Sequence, residues 1–249
     1  MENPQIFSAE IMENHNENYT IDSKKDNYEV SDTYYDYSYK LIIIGNSGAG
    51  KSCLIKRAIT EDFAFEYQTT IAFEFSSLLV KINNEKIYKL QIWDTCGQEI
   101  YRSLIANFYR NASLAMLLYE IDDQKSFDDL KNWVVELREK SNPDIIIFLI
   151  GNKCDLERQR VITKEQGQKF AEENKINYFA ETSAKEGTNA KEIFIEAAKQ
   201  LHIYSMTSRS RLSSQSYENY DNPTVFNNEM NNNSTLLGEF DNNKSKKCC

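Results

Sequence analysis

Four short stretches carry residue types that could do phosphate and base chemistry. The first is Gly45-Asn46-Ser47-Gly48-Ala49-Gly50-Lys51-Ser52. It follows the apolar run Leu41–Ile44 and precedes a helix-like segment, Cys53–Ala58. Strand, glycine-rich loop, helix is the context of a phosphate-binding P-loop. Missing Cβ atoms let backbone N–H groups converge on an anion, and the helix start adds unpaired N–H groups and partial positive charge. Lys51 would reach the outer phosphates. The Ser52 hydroxyl would bind a magnesium ion bridging phosphate oxygens.

The second stretch, Asp94-Thr95-Cys96-Gly97-Gln98, directly follows Leu90-Gln91-Ile92-Trp93. A carboxylate at that strand end can hold magnesium through water. Gly97 lets its N–H approach a terminal phosphate, and Gln98 can orient an attacking water. The third, Asn152-Lys153-Cys154-Asp155, follows the run Ile145–Ile150. The Asp155 carboxylate can accept hydrogen bonds from the ring N–H and exocyclic amine of guanine, a donor edge that adenine lacks. Asn152 can tie loops together, and the Lys153 stem can lie on the base plane. The fourth, Glu181-Thr182-Ser183-Ala184-Lys185, could offer the Ala184 N–H to the guanine carbonyl; chemistry alone does not single it out.

These loops need a frame, and the pattern supplies one. Leu41–Ile44, Ala72–Ile82, Lys86–Trp93, Leu114–Tyr119, Ile145–Ile150 and Ile176–Ala180 read as six strands, with Asn83-Asn84 as a hairpin turn. Ser126 reads as an N-cap before Leu130, Trp133, Val134 and Leu137, which share a helical face. Thr163 with Gln166 fits a capping box opening a helix through Glu172. Ile193, Phe194, Ala197 and Leu201 form the stripe of a last helix. The alternation predicts an α/β domain: a mostly parallel six-stranded sheet, helices on both faces, ligands outside the carboxyl ends of the strands.

The domain is expected over residues 39–204. Residues 1–38 carry nine acidic side chains against Lys24 and Lys25, a net of −7 in a chain of −9, and read as a disordered extension rich in tyrosine. The acidic balance argues against nucleic acid as partner. Residues 205–249 read as a flexible tail, about 35 Å root-mean-square for its ~40 linker residues, ending in Lys246-Lys247-Cys248-Cys249. No apolar run approaches a membrane span, and the start lacks signal-peptide character and the glycine for myristoylation. Five cysteines without metal or disulfide spacing fit a reducing, cytosolic setting.

With these motifs in order, residues 39–204 resemble a small GTPase of the Ras superfamily, most closely its Rab branch. Lys89–Thr95 and Phe108-Tyr109-Arg110 look like the Rab patterns, and the paired cysteines replace a CaaX box. The resemblance implies GTP/GDP and Mg2+ as cofactors, with nucleotide contacts at Gly45, Ser47, Gly48, Ala49, Gly50, Lys51, Ser52, Cys53, Gly97, Asn152, Lys153, Asp155, Ser183, Ala184 and Lys185. It adds Phe63 packing on guanine, Tyr67 near the phosphates, and Thr70 as a magnesium ligand that senses the terminal phosphate. Metal ligation then falls to Ser52, Thr70 and Asp94, and hydrolysis to Gln98, Lys51 and Thr70.

The same resemblance implies a monomeric switch regulating vesicle trafficking on the cytoplasmic face of an intracellular membrane, cycling with cytosol. Turnover would be slow without an activating protein. Expected partners are an exchange factor, an activating protein, effectors reading residues 63–75 and 94–110, and prenylation and membrane-extraction chaperones. Cys248 and Cys249 would carry two geranylgeranyl groups, since one lipid chain anchors only marginally. Ala72, Cys96 and Ile100 depart from the usual Gly, Ala and Arg of Rabs. Ala72 and Cys96 leave open a GTP-loaded scaffold with a broken cycle, and the rival to the Rab branch is a divergent Ras-like or Rho-like protein. A P-loop ATPase or small-molecule kinase is disfavoured by Asp155.

Overall fold

A computed structural model describes residues 9–11, 34–61, 73–83, 85–95 and 108–218. Its centre is a seven-stranded sheet in the order β1-β3-β4-β2-β5-β6-β7. The strands are β1 (Ala9–Ile11), β2 (Tyr37–Gly45), β3 (Phe73–Ile82), β4 (Lys86–Thr95), β5 (Leu114–Glu120), β6 (Ile146–Asn152) and β7 (Tyr178–Glu181). β1/β3 and β3/β4 are antiparallel; every other pair is parallel. The six expected strands are present.

β5 and β6 are buried at every position, which is why they read as unbroken apolar runs. Successive side chains nevertheless alternate between two core layers. Leu41, Ile43, Met116, Leu118, Phe148 and Ile150 face one layer, with α1 (Lys51–Thr60) and α5 (Glu192–Glu218). Ile42, Ile44, Ala115, Leu117, Ile147 and Leu149 face the other, with α3 (Leu130–Lys140) and α4 (Lys164–Glu173). Phe194 on α5 is fully buried, so its truncation to Ala costs about 3–5 kcal/mol. The capping box is present: Thr163 Oγ1 accepts from Gln166 N–H at 3.2 Å, and Gln166 Oε1 accepts from Thr163 N–H at 2.7 Å.

Three expectations need correction. Ser126 is not an N-cap. It lies inside the short helix α2 (Gln124–Asp128), which Asp123 caps by accepting from Lys125 N–H at 2.9 Å. Ser126 is buried instead, where its Oγ accepts from Glu120 N–H at 2.9 Å and donates to Asp123 O at 2.8 Å. The acidic extension is not wholly irregular, because β1 adds a strand to the sheet edge and β2 already begins at Tyr37. The tail is helical at its start: α5 continues to Glu218, since no Gly or Pro interrupts residues 192–218. The chain divides into Met1–Ser208 and Arg209–Cys249. No helix among the described residues is long and apolar enough to cross a membrane.

Candidate functional site

The parallel strands β2, β4, β5, β6 and β7 bring their carboxyl ends to one rim of the sheet. The loops after β2, β6 and β7 and the end of β4 meet there. The first loop must pass between neighbours too close for side chains. A Cβ on Gly45, at φ +141, would sit 2.3 Å from the Leu118 carbonyl oxygen. One on Gly50, at φ +81, would sit 2.4 Å from Asn152 Nδ2. Glycine is therefore required at both positions by conformation and by space. Gly50 also begins α1, its carbonyl accepting from Leu54 N–H at 2.9 Å.

Lys51 is almost fully buried, its ammonium donating to Gly45 O at 2.9 Å and Asn46 O at 2.8 Å. The loop's own carbonyls thus hold this cation. Asn46 is fixed from behind: its amide donates to Asp129 Oδ2 at 2.8 Å, and its Oδ1 accepts from Trp133 Nε1 at 2.9 Å. Ser52 Oγ donates to Asp94 Oδ2. Burial pushes the Asp94 carboxyl up to about 6, against the pull of Ser52 and Lys51. Its other oxygen, Oδ1, is buried and has no hydrogen-bond partner among the described residues. A hydroxyl beside a buried carboxylate with a spare oxygen fits an oxygen-preferring divalent cation such as magnesium. Among the described residues no cluster of three His, Cys, Asp or Glu could hold a metal.

Asn152 ties the loops together. Its Nδ2 donates to Ala49 O at 2.8 Å, and its Oδ1 accepts from Thr182 Oγ1 at 3.0 Å. All three residues are buried. Asp155 is held by Ser183 Oγ, which donates to Oδ1 at 2.6 Å and itself accepts from Glu186 N–H at 3.0 Å. The Lys185 ammonium lies 4.0 Å from Asp155 Oδ2. Backbone bonds lock the two loops in parallel, Cys154 N–H to Thr182 O at 3.0 Å and Thr182 N–H to Gly151 O at 2.9 Å. The structure therefore assembles Gly45–Cys53, Asp94, Asn152, Lys153, Asp155, Ser183, Ala184 and Lys185 at one rim. Phe63, Tyr67, Thr70, Ala72, Cys96, Gly97, Gln98, Ile100, Cys248 and Cys249 lie outside the described residues.

Two groups escaped the sequence reading. Glu120, at the end of β5, is buried and accepts from the Lys153 ammonium. Its Oε1 lies 3.5 Å from where a Cβ on Gly48 would stand, so it sits between the loop after β2 and the loop after β6. No local motif marks it; only the strand register brings Glu120 opposite Asn152. The second is an aromatic ridge on the β3/β4 face. Phe73 and Phe75 are half exposed and pack on Trp93 with centroids 5.7 and 5.2 Å away, and Phe108 closes the group 4.7 Å from Phe73. The Lys40 ammonium lies 5.4 Å from the Trp93 ring and donates to Arg110 O at 3.0 Å. Burial lowers its pKa. A sequence shows such a ridge only once the β3/β4 register is known.

Comparison with known proteins gives the same picture. Residues 40–203 match the model of the Ras family. Ras-related protein Rab-8B of Pongo abelii is 42% identical over 167 residues, covering 67% of this chain and 80% of that protein. Ras-related protein RABA1a of Arabidopsis thaliana is 41% identical over 172 residues, covering 69% and 79%.

Proposed function

The chain belongs to the Ras family and is a small GTPase of the Rab type, and from that premise we propose the following account of its switch in vesicle trafficking. It binds GTP and GDP and hydrolyses GTP. Asp155, held at one oxygen by Ser183, offers its carboxylate to the donor edge of guanine. Lys153 lies along the base, steadied by Glu120. Backbone N–H groups from Gly48 to Ser52 cradle the phosphates, and Lys51 turns from the loop carbonyls toward the outer ones.

Magnesium supplies charge neutralisation at the phosphate oxygens; Ser52, Asp94 and Thr70 are the residues that would hold it. Gln98 orients the attacking water, and Gly97 with Thr70 senses the terminal phosphate, so both segments reorder when it leaves. Hydrolysis is slow until an activating protein completes the site. The ridge of Phe73, Phe75, Trp93 and Phe108 gives effectors an apolar landing that joins residues 63–75 to 94–110. An exchange factor reloads the protein, and two geranylgeranyl groups on Cys248 and Cys249 hold it to membrane.

The observation that carries this reading is the fixed Asp155 carboxylate joined by Asn152 to a phosphate loop. Equilibrium binding tests it: the protein should prefer GTP to ATP by at least about 100-fold, as expected where buried polar groups are left unpaired by the wrong base. Asp155→Asn should abolish that preference and favour xanthine, whose carbonyl accepts where guanine donates. Preference for ATP would overturn it. Single-turnover hydrolysis with Gln98→Leu tests the catalytic role, and an unchanged rate sinks it. Mass spectrometry of the native protein tests the lipids; free thiols refute them.

A further inference from the structure

Among the described residues, the segment ahead of the domain meets it at two places, and both lie on the β3/β4 hairpin. On the outer edge of β3, Ala9, Glu10 and Ile11 pair with Ile82, Lys81 and Val80. Ile11 packs against the core layer that contains Val80 and Ile82. On the other arm, Asp36 grips the start of β4. Its N–H donates to Ile87 O at 2.8 Å, its Oδ2 accepts from Ile87 N–H at 2.8 Å, and its Oδ1 pairs with Lys86 at 2.9 Å. Next to it, the Lys89 ammonium lies 5.1 Å from the Tyr35 ring, and Tyr37 stacks on Tyr88 at 5.0 Å.

None of these contacts serves the nucleotide. Lys86 opens β4 and Asp94 lies one residue from its far end, so the grip is at the pole opposite the site. The partners are complementary in charge. The turn end of the hairpin, residues 81–89, brings Lys81, Lys86 and Lys89 against Glu85, a net of +2; residues 1–38 carry a net of −7. The backbone register sets Glu10 opposite Lys81, and opposite charges at facing positions of neighbouring strands in general favour pairing. An edge strand such as β3 offers unpaired backbone groups that invite a further strand.

We propose that the outer edge of β3, with the lysines of its hairpin, is a docking surface for an acidic extended peptide, and that the chain's own N-terminal segment is its resident occupant. A pairing of three residues is weak by itself. Attachment to the same chain raises the effective concentration to the millimolar range, which holds the strand in place yet leaves it releasable. The segment thereby pins the hairpin that joins the segment of Thr70 to that of Gly97, and a strand-adding partner must displace it first.

Hydrogen exchange on the full chain loaded with GDP tests this. Ile11→Asp places a charge on the core edge, Glu10→Lys sets like charges opposite each other, and Asp36→Asn loosens the second arm. Each should speed exchange across residues 78–90 by about tenfold or more, as for release of a locally stable unit, while residues 45–52 and 146–155 exchange as before. Raising the ionic strength should speed the wild-type hairpin in the same way. Hairpin exchange that is identical in wild type and all three variants would overturn the proposal. Hairpin protection that rises with protein concentration would give the edge to a second copy and would overturn it too. Should Ile11→Asp lose its GDP, Glu10→Lys decides the matter without touching the core.

Discussion

Replacing Asn152 by Ala should loosen the nucleotide more than any other loss of a single uncharged side chain at the rim. The side chain makes two buried hydrogen bonds, to Ala49 O at 2.8 Å and from Thr182 Oγ1 at 3.0 Å. Ala49 and Thr182 are both fully buried, so neither abandoned partner can turn to water. Each unsatisfied group costs about 1–3 kcal/mol, giving roughly 2–6 kcal/mol in all. Part of that is lost from the fold. The remainder frees the phosphate loop from the base loop, and 2 kcal/mol alone is about 30-fold in affinity. Release of a fluorescent GDP analogue, followed by displacement with excess GDP, should therefore quicken by about 30-fold or more. Thr182→Val removes one bond only and should quicken release by about fivefold, near 1 kcal/mol. The double variant should resemble Asn152→Ala, because both act through one bridge. Strict additivity, or normal release from Asn152→Ala, would refute the view that this residue couples the loops.

Glu120→Gln removes the charge that steadies Lys153; for a partly exposed pair this is worth about 1 kcal/mol, so GDP release should rise about threefold to tenfold with Tm little changed. Gly45→Ala must either displace the β5 backbone or distort its own, and soluble, GDP-loaded protein should be lost on purification. His202 Nδ1 and Tyr88 Oη share a hydrogen bond at 2.5 Å, and burial holds the His202 pKa below the ordinary value. The unfolded chain then takes up a proton first as pH falls. Stability should be complete above the ordinary histidine pKa of about 6.5 and decline as pH drops through it, while His202→Asn should flatten this decline in thermal unfolding.

Much of the frame was legible because its signals are local. Continuous apolar runs became the buried strands β5 and β6, and the Thr163–Gln166 spacing became a capping box. The glycine loop and the Asn152–Asp155 loop sit at strand ends, where they touch across the rim. What escaped depends on distance in sequence. Ser126 looks like a cap, but the chain needed a hydroxyl inside to satisfy Glu120 N–H, and Asp123 took the cap. Glu120 finds Lys153 across 33 residues, and β1 finds β3 across about 70. The helix through Glu218 failed for another reason. Its Ser- and Arg-rich end has no amphipathic stripe, and only the absence of breakers announces it.

The two tryptophans of the chain, Trp93 and Trp133, divide the molecule between them. Trp133 hangs its indole N–H on Asn46, inside the phosphate loop, while Trp93 lies among the half-exposed aromatics of the β3/β4 face. The protein therefore carries two native optical probes with separate loyalties. One senses whether the phosphate cradle is filled, and the other whether the ridge is covered. With either changed to Phe, emission from the survivor would follow nucleotide exchange or effector capture alone, in real time and without a label.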